Sequence, residues 1–330
     1  MIKRREFIAG LGSVAAWPVV ARGQDSRLRR VGVLMGVVQD EPEGQTRIQA
    51  FRQGLADFGW VEGRNLHLDV RWSGLDIQRQ QSDARDLVAL APEVILTGMT
   101  TTTLALRNAT QRIPIVFVSL QDPVVNGVVS NLARPEANVT GFTGYEYSMA
   151  GKWLSLLKEA APRLTRVALL FNPDTAPFAP FYLRAGQEAG ERLSLKVTGA
   201  SARAATDIEP VMAALADPVG GGVLVFPDPF NNANKATIVA LAAKYRVPAI
   251  YYERFFVAEG GLLSYGQDIK FQFRDGATYV DRILRGVIKP VDLPVQFATK
   301  FELAINLKTA KELDLAVPQS ILLSANEVIE

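Results

Sequence analysis

The sequence predicts an α/β protein of two units, each built around a largely parallel sheet. Short β-rich runs alternate with longer helical patterns along the chain, the order that parallel sheets require. The 330 residues suffice for about two domains. A strand–helix series also starts twice. Arg30-Val-Gly-Val-Leu-Met35 is echoed by Arg166-Val-Ala-Leu-Leu-Phe171, and Ile113-Pro-Ile-Val116 by Val247-Pro-Ala-Ile250, at offsets of 136 and 134.

In the first series Val31–Met35 reads as a buried strand. Ile48, Phe51, Leu55 and Phe58 recur at helical spacing until Gly59. Leu66–Trp72 alternates as a strand, Ile77–Leu90 is helical and Val94–Leu96 is a strand. Thr101–Thr110 is a short helix, and Ile115–Val118 and Asn138–Phe142 are extended. The second series runs through strand Arg166–Phe171, helix Phe178–Gly190, strand Leu195–Val197 and helix Asp207–Leu215. Strand Gly222–Phe226, helix Asn234–Tyr245 and strands Pro248–Tyr251 and Gly261–Tyr265 complete it. Lys270–Arg285 is a long helical pattern that arrives after this second series is complete. Val295–Asn306 then reads as extended and Leu307–Leu313 as a short helix. A chain with some sixty residues left after its second unit is expected to cross back to the first, and several crossings make a hinge.

Residues 1–23 read as a leader. Lys3, Arg4 and Arg5 precede an apolar stretch, Phe7–Val20, and Ala21-Arg-Gly23 offers small residues for cleavage before Gln24. As a helix that stretch spans roughly 21 Å, against about 30 Å of membrane hydrocarbon. Arg4-Arg-Glu-Phe-Ile8 resembles a twin-arginine signal; an ordinary Sec leader fits the same residues. Either route places the mature protein outside the cytoplasm. Removing Lys3, Arg4, Arg5 and Arg22 along with Glu6 leaves 32 basic and 33 acidic residues, a net charge of about −1. No basic excess remains for nucleic acid or an anionic membrane.

The chain has no cysteine, which excludes disulfides, thiolate metal sites and cysteine nucleophiles. Its one histidine, His67, lies in an alternating strand and is expected on the polar face. No P-loop, G-x-S-x-G or H-E-x-x-H motif occurs. Gly220–Gly222 precedes a strand, whereas a dinucleotide loop follows one, so a turn is expected there. No catalytic residue, metal or cofactor is expected.

What remains is the chemistry at the carboxyl ends of the strands, where open α/β sheets bind ligands. Thr97-Gly-Met-Thr-Thr-Thr-Thr103 leads into a helix; its hydroxyls and free N–H groups suit a carboxylate or another polar group. Ser119 and Asp122-Pro123 end a strand, as do Asn172-Pro-Asp174 and Pro227-Asp228-Pro229. Tyr251-Tyr252-Glu253 and Tyr265-Gly266 end the last two, with rings suited to stacking. Each of these residues also serves equally well as a turn, a cap or core.

Lys3-Arg-Arg-Glu-Phe7, Ile113-Pro-Ile-Val-Phe-Val-Ser119 with Asp122-Pro123, and Leu132-Ala-Arg-Pro135 leading to Asn138-Val-Thr-Gly141 carry a further signal. So do Asn306-Leu-Lys-Thr-Ala-Lys-Glu-Leu313, Val317-Pro318 and Ala325-Asn-Glu-Val-Ile329. With these the chain resembles the ABC-transporter substrate-binding proteins of the type I periplasmic binding fold, in the group that includes tryptophan/tyrosine-binding lipoproteins. The resemblance implies two Rossmann-like lobes, a multi-segment hinge, ligand in the cleft, and an inner-membrane permease and ATPase as partners. No lipobox cysteine is present, so a monomer free in the periplasm, without a lipid anchor, is expected.

The expected division is residues 24–144 with about 267–296 in lobe one, and 145–266 with about 297–330 in lobe two. Thr100, Thr101, Ser119 and Asp122 would line the cleft from lobe one. Asn172, Asp228, Tyr252 and Tyr265 would line it from lobe two or the hinge. An amino acid or aromatic carboxylate is the expected ligand. Its carboxylate would sit at Thr100–Thr101, its amine near Asp122 or Asp228, and its ring against a tyrosine. A periplasmic sensor for a membrane kinase would share the fold, and an exported α/β enzyme such as a transferase is the third reading.

Overall fold

Residues 28–135, 138–216 and 220–330 are described by a computed structural model of the chain. The leader expected over 1–23 lies outside them. The first series forms β1 (Arg29–Met35), α1 (Pro42–Asp57), β2 (Leu66–Trp72), α2 (Ile77–Ala89), β3 (Val94–Thr97), α3 (Thr100–Ala109), β4 (Ile115–Leu120) and β5 (Val139–Thr143). A helix unforeseen in the sequence follows, α4 (Met149–Ala160). Next come β6 (Arg166–Phe171), α5 (Ala179–Arg192), β7 (Lys196–Ser201), α6 (Ile208–Ala216), β8 (Gly221–Val225), α7 (Pro229–Ala233), α8 (Lys235–Lys244), β9 (Ala249–Tyr251), α9 (Arg254–Ala258) and β10 (Leu263–Gln267). The tail forms α10 (Ile269–Leu284), β11 (Gln296–Phe297), β12 (Phe301–Asn306), α11 (Leu307–Glu312), α12 (Gln319–Ser324) and β13 (Glu327–Ile329).

Two sheets result. The first has the order β11-β5-β4-β3-β1-β2 with every pair parallel. The second has the order β13-β12-β10-β9-β8-β6-β7, and only β10–β12 is antiparallel. The first five strands of each series therefore take the same order, with β6 standing where β1 stands and β9 where β4 stands. The echoed motifs fall on these equivalent strands. Central strands β3 and β8 are buried throughout, which is why they read as continuous apolar runs rather than alternating ones.

The tail serves both sheets. α10 leaves the second sheet and buries Phe273, Ala277, Val280 and Leu284 in the core under the first. There it lies against α1, whose inner face is Ile48, Phe51 and Leu55. A Cβ at Gly54 would come within 2.5 Å of the Arg274 carbonyl oxygen, so glycine there lets the two helix backbones approach closely. Trp60 Nε1 donates to Asp281 at 2.8 Å, and Arg274 pairs with Asp57 at 2.8 Å. The stretch expected as one extended run, Val295–Asn306, is in fact two strands in two sheets. β11 pairs with β5, and four residues beyond it β12 begins beside β10. The chain thus passes between the sheets three times: after β5, after β10 and after β11.

Gly221 and Gly222 lie within β8, and only Gly220, at φ +110°, turns the chain as expected of the triplet. His67 sits on the half-exposed side of β2, 3.3 Å from Asp69.

Candidate functional site between the two sheets

The contacts that join the two halves cluster at the carboxyl ends of their strands. Glu43, at the start of α1, pairs with Arg254, just after β9, at 2.9 Å. Gln267, the last residue of β10, donates through Nε2 to Ser119 Oγ in β4 at 2.5 Å. Between them lies Tyr145, on the first crossing. Its hydroxyl donates to the Tyr252 carbonyl at 2.7 Å and accepts the Gln267 N–H at 2.9 Å. Its own carbonyl accepts the Tyr182 hydroxyl at 2.7 Å.

Of the four threonines opening α3, Thr102 and Thr103 are buried and donate to the Met99 carbonyl, at 3.1 and 2.6 Å. Thr100 and Thr101 are half-buried, and among the described residues their hydroxyls make no hydrogen bond. Capping and exposure thus divide the run: two side chains hold the turn and two are free.

Ser119 and Asp122 hold φ of +58° and +33°. Non-glycine residues in this region cost of order 1–3 kcal/mol and persist where the surroundings dictate them, which happens most at binding sites. The register between β4 and β5 shifts between Phe117 and Leu120, turning Ser119 towards Gln267. Asp122 instead accepts the Val125 N–H at 2.9 Å and borders an apolar hollow of about 470 Å³ with Val125, Tyr147 and Phe297.

Asn172 and Asp228 come together at the ends of β6 and β8. Asp228, 3 % exposed, accepts the Asn172 N–H at 2.6 Å, the Phe230 N–H at 2.9 Å and the Thr175 hydroxyl at 2.5 Å. Burial pushes its carboxyl up from the ordinary aspartate value, and these three donors hold it back. Asn172 accepts from Asp174 N–H and donates to the Arg203 carbonyl. The pair fastens two strand ends and caps α7, and the carboxylate is already engaged by its own half. Tyr252 is buried edge-on to Phe256, and burial above all raises its phenol well above the ordinary value. Tyr265 stacks on Phe301 at 5.6 Å and lines a separate hollow against α4 and α12. The structure therefore brings Ser119 and Tyr252 to the junction and Asn172 to Asp228, and turns Tyr265 elsewhere.

The sequence reading does not single out Tyr145, Arg47, Glu253 or Gln267. A hollow of about 20 Å³ at the junction is lined by Glu43 and Arg47 of α1, Glu253 and Arg254 at the start of α9, Gln267 and Glu302. Glu253 is 8 % exposed. Burial pushes its carboxyl up to about 8; Arg47 pulls down, Glu43 and Glu302 push up, and Arg254 pulls down. Glu253 ends a strand beside two tyrosines, a visible if weak signal. Arg47, on a helix more than two hundred residues earlier, has none.

Two largely parallel sheets that meet at the carboxyl ends of their strands, joined by three crossings, define a two-part ligand-binding protein. The model of the family ABC transporter substrate binding protein matches residues 31–329, and the chain belongs to that family. Its members are substrate-binding proteins rather than enzymes. The chain is 26% identical over 270 residues to a tyrosine-binding protein of Clostridioides difficile strain R20291, covering 81% of this chain and 76% of that one. A conserved domain protein from Vibrio cholerae O1 biovar El Tor has a similar structure, with TM-score 0.80 and 26% identity over 92% of this chain and 100% of that one. A Streptococcus pneumoniae ABC domain in complex with L-Trp has the same fold, with TM-score 0.80 and 23% identity over 91% and 99% of the two chains. Among the described residues no helix is long and apolar enough to cross a membrane.

Proposed function

We propose that this protein is the solute-capturing component of an ABC importer, working outside the cytoplasm and binding an amino acid or related aromatic carboxylate between its halves. The observation that carries the reading is the junction itself. Residues from the strand ends of both sheets converge there, three crossings leave the halves free to hinge, and the family is one of substrate-binding proteins. The tyrosine- and L-Trp-binding relatives support the ligand class. Ligand bound to both halves stabilises their closed arrangement because each half alone makes only part of the contacts.

Thr100, Thr101 and Ser119 contribute from the first half and Tyr252 from the second. Asn172 and Asp228 shape the second wall, Asp122 the flank, and Tyr265 lies behind β10. The permease and ATPase of an inner-membrane importer are the partners, and the protein is a periplasmic monomer. The experiment is thermal denaturation of the purified protein against amino acids, aromatic acids, sugars and nucleosides. Linkage predicts about 2.7 kcal/mol of stabilisation at a hundredfold excess over Kd. A shift confined to amino acids and aromatic acids supports the reading; a shift with sugars or nucleosides alone refutes the ligand class.

A further inference from the structure

Ion pairs between described residues lie within one half or the other, with a single exception. The exception is Glu43–Arg254, at 2.9 Å. Glu43 stands in the first turn of α1, whose inner face is fixed in the core under the first sheet. Arg254 opens α9, whose Phe256 is buried in the core around the second sheet. Rotation of the halves about their crossings moves these two helices apart, and a bond of this length has little slack.

A partly exposed ion pair is ordinarily worth little, because two long side chains must be ordered to make it. Here the second half orders its partner in advance. Glu327, in the C-terminal strand β13, accepts from Arg254 Nε at 2.9 Å and from Nη2 at 3.2 Å, a fork that fixes the guanidinium plane. β13 is in turn held by parallel pairing with β12. The remaining nitrogen, Nη1, reaches out of the second half and donates to Glu43 Oε1. The three side chains are 30 to 38 % exposed, so dissolved salt reaches and screens the pair.

We propose that Arg254, held in plane by Glu327 and reaching across to Glu43, is a clasp between the halves that sets how often the protein closes before any solute is bound. The inference rests on the capture reading above and adds to it a control on affinity. A solute that needs the closed arrangement binds more weakly by the factor by which the closed fraction falls. The clasp also gives the last strand of the chain a part in closure: β13 carries the carboxylate that aims the guanidinium. Hydrogen bonding to Glu327 above all raises the pKa of Arg254, so the cation is present at any pH at which the protein works.

The test is pulsed electron resonance on the protein without added solute, spin-labelled at Asp86→Cys on α2 and Glu188→Cys on α5, both exposed and one in each half. The wild type should show a shorter and a longer distance, and Glu43→Gln should lower the ratio of shorter to longer at least about threefold. Glu43 also lies favourably at the N-terminus of α1, so a second variant leaves that helix untouched. Glu327→Gln should shift the ratio in the same direction by a smaller factor. Raising salt from about 0.05 M to about 1 M, where the Debye length falls to about 3 Å, should move the wild type towards the Glu43→Gln distribution and barely move that variant. Thermal melting verifies that each variant folds. A folded Glu43→Gln protein that keeps the wild-type distribution at both salt concentrations overturns the inference. A Glu327→Gln protein indistinguishable from wild type, beside a Glu43→Gln protein that opens, overturns the part assigned to the C-terminal strand. No solute enters these measurements, so either result leaves the substrate-binding reading to the thermal-denaturation experiment.

Discussion

Replacing Tyr145 by Phe removes one oxygen from the place where the first crossing is fastened to the second sheet. The ring stays packed edge-on to Trp153 at 5.3 Å and against Phe301 at 6.2 Å, so Tyr145→Phe isolates the hydroxyl. That hydroxyl serves the Tyr252 carbonyl, just after β9, and the Gln267 N–H, at the end of β10. The site is buried, so water does not replace it. An unsatisfied buried donor or acceptor costs about 1–3 kcal/mol. Two that share one partner are not additive, and the variant should be destabilised by about 2–4 kcal/mol. At about 2–4 °C per kcal/mol for a protein of this class, Tm should fall by roughly 5–10 °C. The specific signature is hydrogen exchange, because the Gln267 amide loses its acceptor and should exchange at least about tenfold faster than in the wild type. A Tm within about 1 °C of wild type, with unchanged exchange across 263–268, would refute the claim that the Tyr145 hydroxyl fastens the first crossing to the second sheet.

Asp228→Ala should cost about 3–5 kcal/mol in denaturant unfolding, since it strands the buried N–H of Asn172 and uncaps α7 at once; a loss under about 1 kcal/mol would show that the carboxylate is not structural. Glu253 makes stability fall with pH. Its folded pKa of about 8 lies above its ordinary 4.5, so its contribution is full below about pH 4.5 and is lost as pH rises through 8. Glu253→Gln should flatten the slope of stability over that window, and an unchanged slope would contradict the burial argument.

The strands were legible because their apolar runs are continuous in the centre and alternating at the edge, as Val94–Leu96 and Leu66–Trp72 show. The return of the chain to the first sheet was legible from the apolar face of Lys270–Arg285. The short helices α7, α9 and α12 were not, since five or six residues are too few to establish a 3.6-residue period. α4 was readable from the helical spacing of Trp153, Leu154 and Leu157, and the strand–helix alternation calls for a helix between β5 and β6, yet none is among the elements expected there. Candidate site residues were harder for a different reason. An Asp-Pro at a strand end looks the same in sequence whether its carboxylate caps a helix, as Asp228 does, or faces a ligand. Tyr265 lies in a strand with sheet neighbours on both sides, and nothing in a linear pattern says which way its ring points. Arg47, Glu253 and Gln267 meet only because three crossings fold distant segments onto one junction.

The central claim is that ligand is held between the two halves, and the most direct measurement is the distance between them. The chain has no cysteine, so Asp86→Cys on α2 and Glu188→Cys on α5, both exposed, take spin labels without competition. Pulsed electron resonance should show a distance distribution that shortens and narrows when the amino acid saturates the protein. A distribution unchanged at saturation, with binding verified by calorimetry on the same sample, would contradict the account.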